Sequence, residues 1–115
     1  MLYKLRNVQH GFRGLYRVWS TEVQFPFQVL ILVALLCLAA YVQLPPIEFA
    51  ILLIAAFLSL ASEVANTALE RLCDRLEPGH DERIAEIKDM SQAFVYVASI
   101  PVVVIVVLFI APRLL

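Results

Sequence analysis

The chain has 115 residues, of which 62% are hydrophobic, whereas a soluble domain is about 45–50% apolar. This composition predicts an all-α membrane protein, and the net charge of −1 excludes the strongly basic surface of a nucleic-acid-binding protein. At roughly 20 residues per span, the length admits one domain, residues 1–115, with three transmembrane helices. Because three helices have little interior for polar groups, we expect a homo-oligomer with polar residues at its subunit boundaries.

The first element, residues 1–20, is predicted to be an amphipathic helix that lies in the headgroup layer. Apolar side chains recur at helical spacing and basic side chains supply the other face, a pattern typical of interfacial helices. The apolar positions include Leu5, Val8, Phe12 and Trp19, and the basic ones are Lys4, Arg6, Arg13 and Arg17. We expect no cleavable signal peptide, because the first long apolar run starts too late.

Three spans follow, at residues 25–41, 47–69 and 93–111. A turn with Pro45 and Pro46 separates the first two, and Pro78 with Gly79 breaks the chain before the third. The second helix should continue to about residue 76 and therefore project beyond the hydrocarbon layer, while Pro101 predicts a kink in the third. Both cysteines are expected to be free, since no metal or disulfide spacing is present. They are Cys37 and Cys73.

A polar face lies on the second helix where it leaves the apolar run. Glu63, Asn66, Glu70 and Asp74 follow an i, i+3, i+7, i+11 spacing, which places all four on one side of a helix. Carboxylates this close to lipid are costly, so they require a partner, a cation or a function.

The basic residues predict the orientation of the chain. They are concentrated in the N-terminal segment and in the loop between the second and third spans, and the first turn has none. The positive-inside rule then places the N-terminus and that loop in the cytoplasm and the C-terminus outside, in a bacterial inner membrane. The polar face therefore lies at the cytoplasmic boundary, where Glu22, Lys88 and Asp89 are also expected.

This set of side chains suits phosphoryl transfer. Carboxylate and amide oxygens are ligands for Mg²⁺, a lysine neutralises phosphate, and a further carboxylate can deprotonate a hydroxyl. Two alternatives remain open on the residues alone. The acids could form salt bridges with Arg71 and Arg75 on a solvated helix end, or they could mark an ion or proton pathway.

The motif Glu63-x-x-Asn66-Thr67-Ala68-x-Glu70-x-x-x-Asp74, followed by Lys88-Asp89, resembles the prokaryotic diacylglycerol kinase family, as does the position of Glu22 before the first span. The resemblance covers nearly the whole chain. It implies a homotrimeric membrane lipid kinase with active sites shared between subunits, which transfers the γ-phosphate of MgATP to the primary hydroxyl of a membrane lipid alcohol.

The resemblance also implies a role for each site residue. Glu63 matches the general base, and Glu22 and Glu70 match the metal-binding acids. The residues matched to the ATP phosphates or the active-site acid are Asn66, Asp74, Lys88 and Asp89.

The chain departs from the family pattern at four positions. Gln28 stands where members often have Glu, and Asp81 stands where a histidine is common, with His80 one residue earlier. Gln92 and Phe94 replace small residues after Lys88-Asp89. The Gln28 departure changes the lining expected at the nucleotide end, and the shift of the histidine argues against a functional role for His80. Gln92 and Phe94 affect the identity of the lipid: diacylglycerol is expected, with undecaprenol as the alternative. The turn 44–48 and the ending 109–113 are similar to the undecaprenol branch, and Lys88-Asp89-Met90 is similar to the diacylglycerol branch. A more remote alternative is a non-enzymatic homologue.

Overall fold

The computed structural model describes residues 2–115 and folds them almost entirely into helices. The helices are α1 (Leu2–Thr21), α2 (Gln24–Tyr41), α3 (Pro46–Leu76), α4 (Glu82–Ile105) and α5 (Ala111–Leu114), with a π-helical segment, Val106–Ile110, between the last two. Three helical stretches are long and apolar enough to cross a membrane: Gln24–Tyr41, Pro46–Leu76 and Glu82–Leu114. The prediction of an all-helical protein is therefore confirmed, with three helical stretches that are candidate spans.

The spans pack around α3. It lies mainly against α4 and also contacts α2, whereas α1 makes only minor contacts with α2 and α3. The buried cluster brings together Leu32 of α2, Leu52 and Ala56 of α3, and Val102 and Ile105 of α4. The apolar core is consequently at the centre of the spans, and many large apolar side chains face outward, as lipid exposure or subunit contact requires.

Helix α2 ends in a Schellman motif that has a glutamine at the position where glycine is usual. The Gln43 N–H donates to the carbonyl of Ala40 at 3.1 Å, and the Leu44 N–H donates to that of Ala39 at 3.1 Å. Gln43 has a φ of 58°, in the left-handed region. The two bonds satisfy carbonyls that the helix end would leave unpaired.

The turn after α3 is closed by a helix cap. Asp81 is the N-cap of α4, and its carboxylate accepts hydrogen bonds from the backbone N–H of Arg83 at 2.8 Å and of Ile84 at 3.3 Å. Because α3 and α4 are joined by this short turn, they run antiparallel. The C-terminal end of α3, which is predicted to be cytoplasmic, therefore lies beside the first turns of α4.

The helix bounds differ little from the expected ones, but two features differ in kind. The charged segment 82–89 is already helical and continuous with the third span. The helix also continues through Pro101 and is followed by a π-helical segment at Val106–Ile110, while the kink expected at Pro101 stays a prediction. The N-terminal segment is helical as expected, while its position in the headgroup layer stays a prediction.

Candidate functional site

The polar face of α3 is held against α4 by a buried amide. Asn66 is buried, and its Oδ1 accepts a hydrogen bond from the Ser91 hydroxyl at 2.6 Å. Its Nδ2 donates to Oε1 of Glu70 at 3.4 Å, a long bond. Asn66 therefore connects the metal-binding acid expected at Glu70 to the second wall of the site, α4.

Lys88 lies beside the end of the same face. Its Nζ is 2.5 Å from Oδ1 of Asp74, and it lies one turn before Ser91 on α4. The antiparallel pair α3–α4 thus brings Lys88 to the carboxylates, as the sequence predicted. Asp89 is exposed, and none of the side-chain hydrogen bonds or ion pairs found among residues 2–115 involves its carboxylate.

Glu22 is bound to α3 at a different residue. Its Oε1 accepts a hydrogen bond from Nη2 of Arg71 at 2.9 Å, and the same guanidinium donates to the Thr21 hydroxyl. The end of α1 and the start of α2 are thereby tied to α3. Both charged side chains are about half exposed, at 46% and 40%, so the pair contributes at most about 1 kcal/mol to stability.

A preformed metal cage is absent from residues 2–115, where no three His, Cys, Asp or Glu side chains approach closely enough to hold an ion. Glu22 pairs with Arg71 and Glu70 with Asn66. This arrangement still fits Mg²⁺, which is commonly bound through one or two carboxylates together with substrate phosphates and water. The assignment of Glu22 and Glu70 as metal ligands stays a prediction.

A polar cleft opens beside Glu63 between α2, α3 and α4. It has a volume of about 350 Å³. Its polar lining consists of Gln24, Gln28, Glu63, Gln92, Tyr96 and Ser99, and its apolar lining of Phe27 and Val95. Three of the residues that line the polar cleft are therefore Glu63, the expected base, and Gln28 and Gln92, which depart from the family pattern. Phe94, the other bulky departure, is exposed outside it.

A chain of hydrogen bonds joins the three spans at the deeper end of the polar cleft. Nε2 of Gln28 donates to the Ser59 hydroxyl at 3.0 Å, and the hydroxyls of Ser59 and Ser99 are 2.9 Å apart. Ser59 is fully buried. Polar side chains inside a span are costly unless they are paired, and these three satisfy one another.

An apolar groove lies on another side of α2 and α3, next to α1. It has a volume of about 370 Å³ and is lined only by apolar side chains, among them Leu15, Trp19, Phe25 and Phe57. The rings of Trp19 and Phe25 meet edge to face, with centroids 6.2 Å apart. The groove offers hydrocarbon contacts only and no group for chemistry.

Sequence reasoning missed three parts of this site: Ser91, Arg71 as the partner of Glu22, and the Ser59–Ser99 pair. Ser59 and Ser99 carried a usable signal, because an isolated hydroxyl in an apolar span needs a partner. The Arg71–Glu22 pair had no such signal, since the two residues are far apart in sequence. Asp74 forms an ion pair, as the salt-bridge alternative predicted for the acids, but its partner is Lys88 and not Arg71 or Arg75. Both cysteines are free.

The fold and the site together define an integral membrane protein with a carboxylate, amide and lysine face at the end of its spans. The chain belongs to the prokaryotic diacylglycerol kinase family, whose sequence model matches residues 9–110. It is similar to the diacylglycerol kinases of Escherichia coli K12, Escherichia coli O157:H7 and Shigella flexneri, with 25% identity over 100 residues in each case. Each match covers 87% of this chain and 82% of the relative. Family membership supports a membrane lipid kinase that uses ATP.

Proposed function

We propose that the protein phosphorylates the primary hydroxyl of diacylglycerol with ATP and forms phosphatidic acid. The observation that carries the proposal is the position of Glu63, which lines the polar cleft on the same helix face as Asn66 and Glu70. A carboxylate in that position can meet a lipid hydroxyl that enters from the bilayer. The helix face from Asn66 to Asp74 would then bind ATP, which approaches from the aqueous side.

The transfer step follows from these positions. The Glu63 carboxylate accepts the proton of the lipid hydroxyl as that oxygen bonds to the γ-phosphorus, while the bond from the γ-phosphorus to the bridging oxygen of ADP breaks. Lys88 neutralises phosphate charge, and Asp74 holds the Lys88 ammonium in place. Asn66, fixed by Ser91, offers its amide to phosphate oxygens, and Asp89 lies beside Lys88.

The proposal includes Mg²⁺ bound through Glu22 and Glu70 together with ATP phosphate oxygens. Hard oxygen donors of this kind suit that ion. When bound, the ion neutralises charge that develops on the transferred phosphoryl group. Glu22 would offer the metal its second carboxylate oxygen, and Arg71, which is bonded to the first, would keep a positive charge beside the metal.

Undecaprenol is the alternative substrate. The turn 44–48 and the ending 109–113 are similar to kinases of that alcohol. The apolar groove would accept an isoprenoid tail as readily as an acyl tail, because hydrocarbon contacts are not directional.

The proposed setting is one membrane-embedded domain, residues 1–115, in a bacterial inner membrane. The N-terminus is cytoplasmic, the C-terminus is outside, and three copies share their active sites. Exposed apolar side chains on all three spans support contact with lipid and with neighbouring copies.

The test is a side-by-side assay with purified protein, γ-labelled ATP and either diacylglycerol or undecaprenol. Label should appear in phosphatidic acid, and chelation of Mg²⁺ should abolish the transfer. Preferential labelling of undecaprenyl phosphate would favour the alternative. Cation flux in vesicles with no labelled lipid would instead indicate the non-enzymatic homologue and overturn the proposal.

A further inference from the structure

The polar cleft contains more hydrogen-bonding groups than a lone alcohol can use. Beside Glu63 it presents two amide side chains from α2, one from α4, a phenol and a serine hydroxyl. A polyprenol brings one hydroxyl and hydrocarbon, and would leave these groups unpaired when it displaced water from the cleft. A diacylglycerol also brings two ester carbonyls, which accept hydrogen bonds. A site that must pair its polar groups discriminates strongly against a ligand that lacks the partner.

Gln28 is the best-placed donor for such a carbonyl. One N–H of its amide is committed to Ser59, at 3.0 Å, and Ser59 is held in turn by Ser99 at 2.9 Å. An amide nitrogen carries two donors, so this anchorage fixes the side chain and leaves its second N–H for a ligand. Because Ser59 is fully buried between the helices, the anchor is rigid.

The depth of Gln28 matches the order of groups along a diacylglycerol. Ser59 precedes Glu63 by one helical turn, which is about 6 Å along the helix axis. Gln28, bonded to Ser59, therefore lies about one turn deeper in the membrane than the base. In a diacylglycerol that enters from the bilayer, the ester groups lie deeper in the membrane than the primary hydroxyl. The short glycerol backbone sets the distance between them.

We propose that Gln28, held by Ser59 and Ser99, donates an amide hydrogen bond to an ester carbonyl of the lipid while the primary hydroxyl meets Glu63. Gln28 is thus a specificity-determining residue, and Ser59 and Ser99 are positioning residues. This role rests on the proposed kinase activity. It would explain why the polar cleft selects a lipid with glycerol esters. Glutamate, which members of the family often have at this position, has no N–H to donate when ionised.

The test compares kcat/KM for a 1,2-diacylglycerol with that for the 1,2-dialkylglycerol of equal chain length, in which ethers replace the esters. The wild-type protein should prefer the ester by about tenfold, the value of one hydrogen bond of about 1.4 kcal/mol. Gln28→Glu keeps the size of the side chain but removes both donors, and should bring the ratio close to one. Ser99→Ala should lower it as well, because Gln28 loses part of its anchor.

The control is Gln9→Glu, the same chemical change on the exposed surface of α1, which should leave the ester-to-ether ratio unchanged. Size-exclusion chromatography in detergent checks that each variant is folded. Equal use of ester and ether by the wild-type protein, or an undiminished ratio in Gln28→Glu, would overturn this inference and leave the kinase activity standing. Failure to label any lipid alcohol would overturn the proposed function and this inference together.

Discussion

Arg71 places a positive charge beside Glu22, one of the two acids expected to bind the metal. Its guanidinium is bonded to Glu22 and to Thr21, so it ties the α1–α2 junction to α3. An incoming cation at Glu22 competes with this guanidinium. We therefore expect the ion pair to be a stabilising contact that opposes metal binding at Glu22.

Arg71→Gln should accordingly lower the Mg²⁺ concentration needed for half-maximal activity. We expect a change of about two- to fivefold, which corresponds to the loss of an exposed ion pair of up to ~1 kcal/mol. Arg75→Gln, an exposed arginine on the same helix, is the matched control and should not change the Mg²⁺ requirement. An unchanged or raised requirement in Arg71→Gln would mean that Glu22 does not bind the metal.

Ser91 is the residue that holds Asn66. The hydroxyl is buried and donates to Asn66 at 2.6 Å, so Ser91→Ala leaves a buried carbonyl oxygen without that donor. The free energy of unfolding should fall by about 1 kcal/mol, and KM for ATP should rise because the amide is no longer fixed. Reversible unfolding in detergent micelles measures the first and steady-state kinetics the second.

Ser20→Ala is the control for that experiment. Its hydroxyl donates to the Arg17 carbonyl at an exposed position, so its removal should change neither quantity appreciably. If Ser91→Ala behaved like Ser20→Ala, Asn66 would not depend on Ser91 for its position.

At the scale of the element, the end of α2 contains a conformation that its sequence does not favour. Gln43 is in the left-handed region, which costs a residue with a Cβ about 1–2 kcal/mol. Gln43→Gly should therefore raise the free energy of unfolding by about 1 kcal/mol, less the extra entropy of the unfolded chain. Unfolding in micelles is again the measurement.

Gln9→Gly tests the opposite case. It introduces glycine within α1, where it should weaken the helix by about 1 kcal/mol. Destabilisation by Gly at both positions would show that the Schellman geometry at Gln43 carries no strain.

The helices could be predicted from the sequence because a lipid environment requires long apolar runs. Long apolar runs bounded by Pro45, Pro46 and Pro78 predict the ends of α2 and α3 to within about one residue, whereas α4 begins at Glu82, well before the predicted third span. The conformation of Gln43 and the π turn Val106–Ile110 were not accessible. Each depends on how the helix end or the neighbouring helix packs, and neither has a glycine or proline signal at the site.

The candidate site was predictable in composition and only partly in pairing. The face from Glu63 to Asp74 follows from helical spacing alone, and the short turn at 77–81 brings Lys88 beside it. The contacts from Glu22 to Arg71 and from Gln28 to Ser59 join residues of different helices. They depend on helix rotation and depth, which apolar spans of similar composition do not specify.

At the scale of the whole molecule, one copy is a thin body with extents of 50 × 42 × 21 Å. Its spans expose many large apolar side chains, such as Ile54 and Val103. Within one copy, Glu22 pairs with Arg71 and the described acids form no three-residue metal cluster. The proposed assembly, in which neighbouring copies complete each site, would cover part of this exposed apolar surface.

Mixing of inactive variants tests this assembly. Glu22→Gln and Glu63→Gln should each be inactive alone, and co-expression of the two should restore part of the wild-type activity if a site takes these residues from different copies. Mixing the two proteins after separate purification, without subunit exchange, is the control and should restore nothing. Absence of complementation in the co-expressed sample would place both residues in one copy.

The central claim is that Glu63 takes the proton from a lipid hydroxyl in an ATP-dependent transfer. The most direct measurement is the rate of γ-phosphate transfer to diacylglycerol by wild-type protein and by Glu63→Gln, which keeps the shape of the side chain but has no basic carboxylate. We expect transfer by the wild-type protein and a loss of at least about a hundredfold in kcat for the variant, with its fold and ATP binding retained. Turnover by Glu63→Gln at a rate close to that of the wild-type protein would contradict it.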